Sequence, residues 1–121
     1  MLLLSTPGGS PGLQPHPSGA VGDTLRPPVS AGEAFRRGAE RLSAGDARGA
    51  ADDFERALAL GYRPAAEAHL RLGLARRHLP LHAFRAIRAF RAALREDPAS
   101  LEARYGLADT YLALDGWEAQ R

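Results

Sequence analysis

The sequence predicts an all-α fold: a solenoid of stacked helical hairpins, about two and a half repeats long, after a disordered N-terminal tail. Two observations predict it. Gly38, Ala50, Phe54 and Ala57 recur as Gly73, Ala86, Phe90 and Ala93, at offsets of 35, 36, 36 and 36 residues. A period of that size marks one supersecondary unit, and a single helical hairpin cannot bury its own apolar face, so the units must stack. The second observation is composition. A chain of 121 residues that is 45% hydrophobic allows one domain with a modest core, and it has no cysteine, so helix packing must supply the stability.

Taken in order, residues 1–30 are rich in Pro, Gly and Ser and show neither strand nor helix periodicity. Such a segment buries too little apolar surface to offset its ordering entropy, so a disordered tail is expected. Its Leu2-Leu3-Leu4 run has no basic flank and is too short for the apolar core of a secretory signal. No stretch approaches the roughly eighteen apolar residues of a membrane span. A cytoplasmic protein with no membrane association is the expectation.

The repeat domain is expected over 31–121, with units at about 31–64 and 65–98 and a partial unit at 99–121. Ser30-Ala31-Gly32-Glu33 fits a capping box that opens a first helix to about Leu42. Ala44-Gly45-Asp46 makes the turn, and Asp46 caps a second helix carrying Ala50, Phe54, Ala57 and Leu58, ending near Gly61. A third helix opens after Pro64 and breaks at His78-Leu79-Pro80. A fourth carries Ala86, Ile87, Phe90, Ala93 and Leu94 until Asp97-Pro98 stops it, because proline disfavours helical geometry in the residue before it. A fifth is expected from about Leu101 to Leu114, ending at Asp115-Gly116, with no sixth helix to cover Leu107, Tyr111, Leu112, Leu114 and Trp117.

These residues resemble the tetratricopeptide repeats, whose signature is W-x2-L-G-x2-Y followed by A-x3-F and a proline. Leu72-Gly73, Ala86-x3-Phe90, Ala93 and Asp97-Pro98 carry the match in the second unit, Leu107-Ala108 and Tyr111 in the third, and Gly38, Ala50, Phe54 and Ala57 in the first. Arg37 and Arg41 stand where the signature has leucine and tyrosine, and a polar, solvated N-terminal cap is expected there. Gly38, and Gly73 or Ala108, would admit the close approach of a paired helix, with Phe54 and Phe90 filling the space between hairpins. The resemblance implies a right-handed solenoid that binds a peptide or helix of a partner in a concave groove. It places Phe35, Ala39 and Leu42 from the first unit, Leu70, Leu74 and Arg77 from the second, and Tyr105, Asp109 and Leu112 from the third along that groove. Phe35 and Ala39 stand where a carboxylate clamp for chaperone tails would need polar residues, so an apolar anchor suits this lining better.

Charge gives a second signal. Formal net charge is +2, yet residues 63–95 carry a net +7 and residues 96–121 a net −4. Arg85, Arg88, Arg91 and Arg95 fall three or four apart and form a basic stripe expected opposite Ile87, Phe90 and Leu94. Its bland reading is a solvated outer face. The sharper reading, and the alternative function, is contact with RNA phosphates or an acidic partner. Nucleic acid has no support from aromatic interleaving or a recognisable motif.

No chemistry is legible. His78 and His82 are four apart, but Pro80 lies between them and no third ligand follows, so no metal site is assigned. No nucleophile elbow, phosphate-binding glycine loop or paired carboxylate motif appears, so neither catalytic residues nor cofactors are expected. The leading reading is a non-enzymatic module that binds a protein or peptide of unknown identity. A third reading is a truncated or self-assembling unit, in which a homo-oligomer covers the C-terminal helix.

Overall fold

A computed structural model describes residues 30–119. The stretch before Ser30, expected above to be a disordered tail, lies outside the described residues, as does the side chain of Trp117. Five helices make up the described residues: α1 (Ala31–Ser43), α2 (Ala47–Ala59), α3 (Ala65–Arg76), α4 (Ala83–Glu96) and α5 (Leu101–Ala119). Ser30 opens α1 with its hydroxyl accepting from the Glu33 amide at 3.0 Å, and Asp46 opens α2 by accepting from the Gly49 amide at 2.9 Å. Each satisfies a first-turn N–H that has no partner inside the helix. Ser100 does the same for α5, accepting from the Ala103 amide at 3.1 Å. Gly45 and Gly61 take φ of 90° and 87° after α1 and α2, a left-handed turn that favours glycine.

The helices pack as antiparallel neighbours in chain order, α1 on α2, α2 on α3, α3 on α4 and α4 on α5. Two fully buried phenylalanines key the stack. A Cβ on Gly38 would come within 2.8 Å of the Phe54 ring, and one on Gly73 within 2.7 Å of the Phe90 ring, so both positions admit only hydrogen. In the third unit the residue against Phe90 is Gly106, where a Cβ would stand 2.5 Å from the ring. Ala108, expected to share this role, is exposed instead. Phe90 is thus clasped between glycines of α3 and α5. One cluster gathers Ala50, Ala51, Phe54, Leu72, Ala75 and Ala89, and a second gathers Leu70, Ala86, Phe90, Ala93 and Ala103.

Two expectations are corrected. The fifth helix does not end at Leu114 but continues through Asp115-Gly116 to Ala119. A single glycine costs a helix only about 1 kcal/mol, and without a following proline it imposes no stop. The arginines of α1 do not form a solvated cap either. Arg37 is buried, and Arg41 reaches across to α2 to pair with the buried Asp53 at 3.1 Å. Burial pushes the Asp53 carboxyl above its ordinary value, against the opposing pull of the Arg41 and Arg37 guanidiniums.

Candidate functional site

The order of packing sets a two-sided stack. The backbones of α1 and α3, and of α3 and α5, approach one another directly, whereas α2 and α4 stand further apart. The first helices therefore form the closely spaced side, and the second helices the wider one.

On the closely spaced side, Phe35 stacks on Tyr62 with ring centroids 4.2 Å apart and tilts against Phe54 at 5.4 Å. Phe35, Ala39 and Leu42 are half-buried against the first cluster, and Leu74 against the second. Leu42, Leu74 and Arg77 line a hollow of about 760 Å³, together with Asp46, Arg48 and Leu79. Arg77 of α3 pairs with Asp109 of α5 at 3.3 Å. Next to that pair Tyr105 and Leu112 are 68% and 67% exposed. Of the nine residues expected along a groove, Leu70 stands apart. It is only 4% exposed and belongs to the cluster around Phe90, because at its position on α3 the side chain turns toward α4 and α5 rather than outward.

On the wider side, Arg85, Arg88, Arg91 and Arg95 of α4 are all exposed. The stripe does not stand opposite Ile87. Arg91 follows Ile87 by four residues and Arg88 follows Phe84 by four, so these residues share one helical face. Phe84, Arg85, Ile87, Arg88 and Arg91 join Tyr111 of α5 around an open slot of about 440 Å³. Arg91 donates to the Tyr111 hydroxyl across it. Sequence reasoning missed the slot, although the exposed Phe84 at the head of a basic stripe was its signal. Of the C-terminal residues expected to lie uncovered, Leu107 packs on the second cluster and Leu114 is half-buried, while Tyr111 and Leu112 are exposed.

His78 and His82 open onto different hollows, the first beside Leu42 and Leu74, the second beside Asp52 and Glu55. His69 on α3 is held below its ordinary 6.5 chiefly by burial, which outweighs the pull of Glu96 and is reinforced by Arg95 and Arg76. No group of three or more metal-ligating side chains occurs among the described residues, and none of their helices is long and apolar enough to cross a membrane.

Residues 85–119, all but the first two residues of α4 together with α5, match the family profile described as tetratricopeptide repeat. Over those residues the chain is similar to the tetratricopeptide repeats. The matched frame joins the second helix of one hairpin to the first helix of the next. That is the same helix pair read half a unit out of phase, since α4 on α5 repeats the packing of α2 on α3. Comparison with curated proteins and with solved structures gives no match. The tetratricopeptide repeat is a non-catalytic fold whose general role is protein–protein interaction, and the all-helical stack of hairpins agrees with it.

Proposed function

We propose that this chain is a cytoplasmic, non-enzymatic binding module that takes a peptide or helix of a partner protein along the face shared by α1, α3 and α5. The observation that carries the reading is the pairing of exposed Tyr105 and Leu112 with the Arg77–Asp109 ion pair between them. Two large apolar groups left in water flank a polar clamp whose donors and acceptors can turn to a peptide backbone. Leu42 and Leu74 extend the apolar track toward the hollow beside α1. Anchors of this kind, ringed by polar groups, are how grooves grip helices and extended peptides. Leu70 takes no part, being committed to the core.

The test is a peptide-display selection against the full chain, followed by anisotropy titration of the selected sequence. Leu74→Glu and Leu112→Glu are expected to weaken binding about tenfold or more while leaving the circular dichroism spectrum unchanged. Full affinity in both variants would refute the assignment of this face. Sedimentation of the free chain tests the self-assembly reading: a dimer abolished by Leu112→Glu would assign the same face to a second copy.

A further inference from the structure

The slot on the wider side has an internal precedent. Shift five of the six residues that line it back by one period, and Phe84, Ile87, Arg88 and Arg91 become Arg48, Ala51, Asp52 and Glu55, each 36 residues earlier, while Tyr111 becomes Arg76, 35 residues earlier. These earlier residues also line one hollow together, and its remaining walls are Leu79, His82 and Arg85, supplied by the segment that leads into α4 and by its first turn. The cross-helix contact repeats as well. Arg76 of α3 pairs with Glu55 of α2, and Tyr111 of α5 accepts from Arg91 of α4. Where the next helix is in place the hollow measures about 140 Å³; where none follows among the described residues it measures about 440 Å³.

The two copies differ in sign. In the closed copy the α2 floor contributes Arg48, Asp52 and Glu55, Arg76 of α3 pairs with Glu55, and Arg85 of the covering helix lines the same hollow. In the open copy the floor helix contributes Arg88 and Arg91, with Arg85 beside them. No carboxylate lies within ion-pair distance of Arg85 or Arg88 among the described residues; the ion pairs of this half of the chain go to Arg71, Arg76 and Arg77 instead. Phe84, 72% exposed, and Tyr111, 39% exposed, wall an apolar floor at Ile87.

We infer that this slot docks an acidic amphipathic helix of a partner protein, lying on α4 and α5 as α4 lies on α2 and α3. Its apolar edge enters between Phe84 and Tyr111, and its flanking carboxylates meet Arg85, Arg88 and Arg91. The internal precedent favours a helix over a nucleic acid, because the related hollow one period earlier is closed by the segment leading into the next helix and by that helix's first turn. The geometry is that of a neighbouring repeat unit, with complementary charge selecting which helix is accepted. The inference is independent of the groove on the opposite side.

The probe is a fluorescein-labelled peptide with the sequence of residues 83–96 carrying Arg85→Glu, Arg88→Glu, Arg91→Glu and Arg95→Glu, titrated with the full chain. The unaltered basic peptide is the control. The acidic peptide is expected to bind about tenfold or more tightly than the basic one, and Arg85→Glu with Arg88→Glu in the chain is expected to reverse that order. Phe84→Ala, at an exposed position that leaves the core alone, is expected to weaken the acidic peptide several-fold. Leu74→Glu should leave it bound. Equal affinity for the two peptides, or loss of binding in Leu74→Glu, overturns the inference. So does an oligouridylate that displaces the acidic peptide and loses its own affinity with Arg85→Glu and Arg88→Glu, since it would make the surface a phosphate contact. A self-dimer of the free chain broken by the same pair of substitutions also overturns it, by making a second copy the occupant.

Discussion

The first hairpin (α1, α2) and the second (α3, α4) share one key and differ at the seam around it. In both, a buried phenylalanine lies against a glycine that has no room for a methyl group: Phe54 on Gly38, Phe90 on Gly73. Beside that key the second hairpin places Leu72 and Ala89, both buried. At the matching positions, 35 and 36 residues earlier, the first hairpin places Arg37 and Asp53, also buried, with Arg41 paired to Asp53. The difference separates what the repeat requires from what it tolerates. Phenylalanine against glycine sets the distance between helices, while the seam accepts either apolar side chains or a charge cluster in which one carboxylate faces two guanidiniums.

The comparison can be broken most severely at the key. Phe54→Ala and Phe90→Ala are each expected to cost about 3–5 kcal/mol, measured by urea unfolding, because each empties a site packed on every side. Phe90→Ala should be the worse of the two, since Phe90 is gripped by Gly73 and Gly106 together. Gly73→Ala attacks the same contact from the other side. A methyl group 2.7 Å from the ring must displace it, at an expected cost of about 1–3 kcal/mol.

The seam gives the next largest effect. Asp53→Ala alone leaves Arg37 and Arg41 without their carboxylate and is expected to cost about 3 kcal/mol. Adding Arg37→Leu converts the first seam to the pattern of the second and is expected to recover that loss or exceed it, with Arg41 extending its head to water. A double variant no more stable than Asp53→Ala would show that the polar seam is required.

The smallest effect is in pH. The pKa of His69 is lowered in the fold, so its contribution is present above the ordinary 6.5 and is lost as pH falls through 6.5 toward the folded value. Thermal unfolding should therefore move to lower temperature between pH 7.5 and 5.5, and His69→Gln should reduce that slope.

The key was legible in the sequence because aromatic and glycine residues recurred at a fixed offset, and so were the caps at Ser30 and Asp46, because capping is local chemistry. Gly106 carried a signal too. A glycine inside a helix needs a packing reason, but the signature frame drew attention to Leu107 and Ala108 instead. The burial of Arg37 and Asp53 was not legible, since no local pattern distinguishes an arginine facing water from one facing a carboxylate on the next helix. Leu70 failed as a groove residue for a related reason: which side of α3 faces α5 depends on how the third unit docks. The stripe of arginines was visible as a period, but the slot beside it exists only once Tyr111 is brought over from α5.

The central claim is that the first-helix face is where a partner protein binds, and an NMR titration of the isotopically labelled full chain with the display-selected peptide tests it most directly. The account predicts that amide shifts concentrate at Leu42, Leu74, Arg77, Tyr105, Asp109 and Leu112, with Phe84, Arg88 and Arg91 unmoved. Shifts confined to Phe84, Arg88 and Arg91, with Leu74 and Leu112 unmoved, would contradict it.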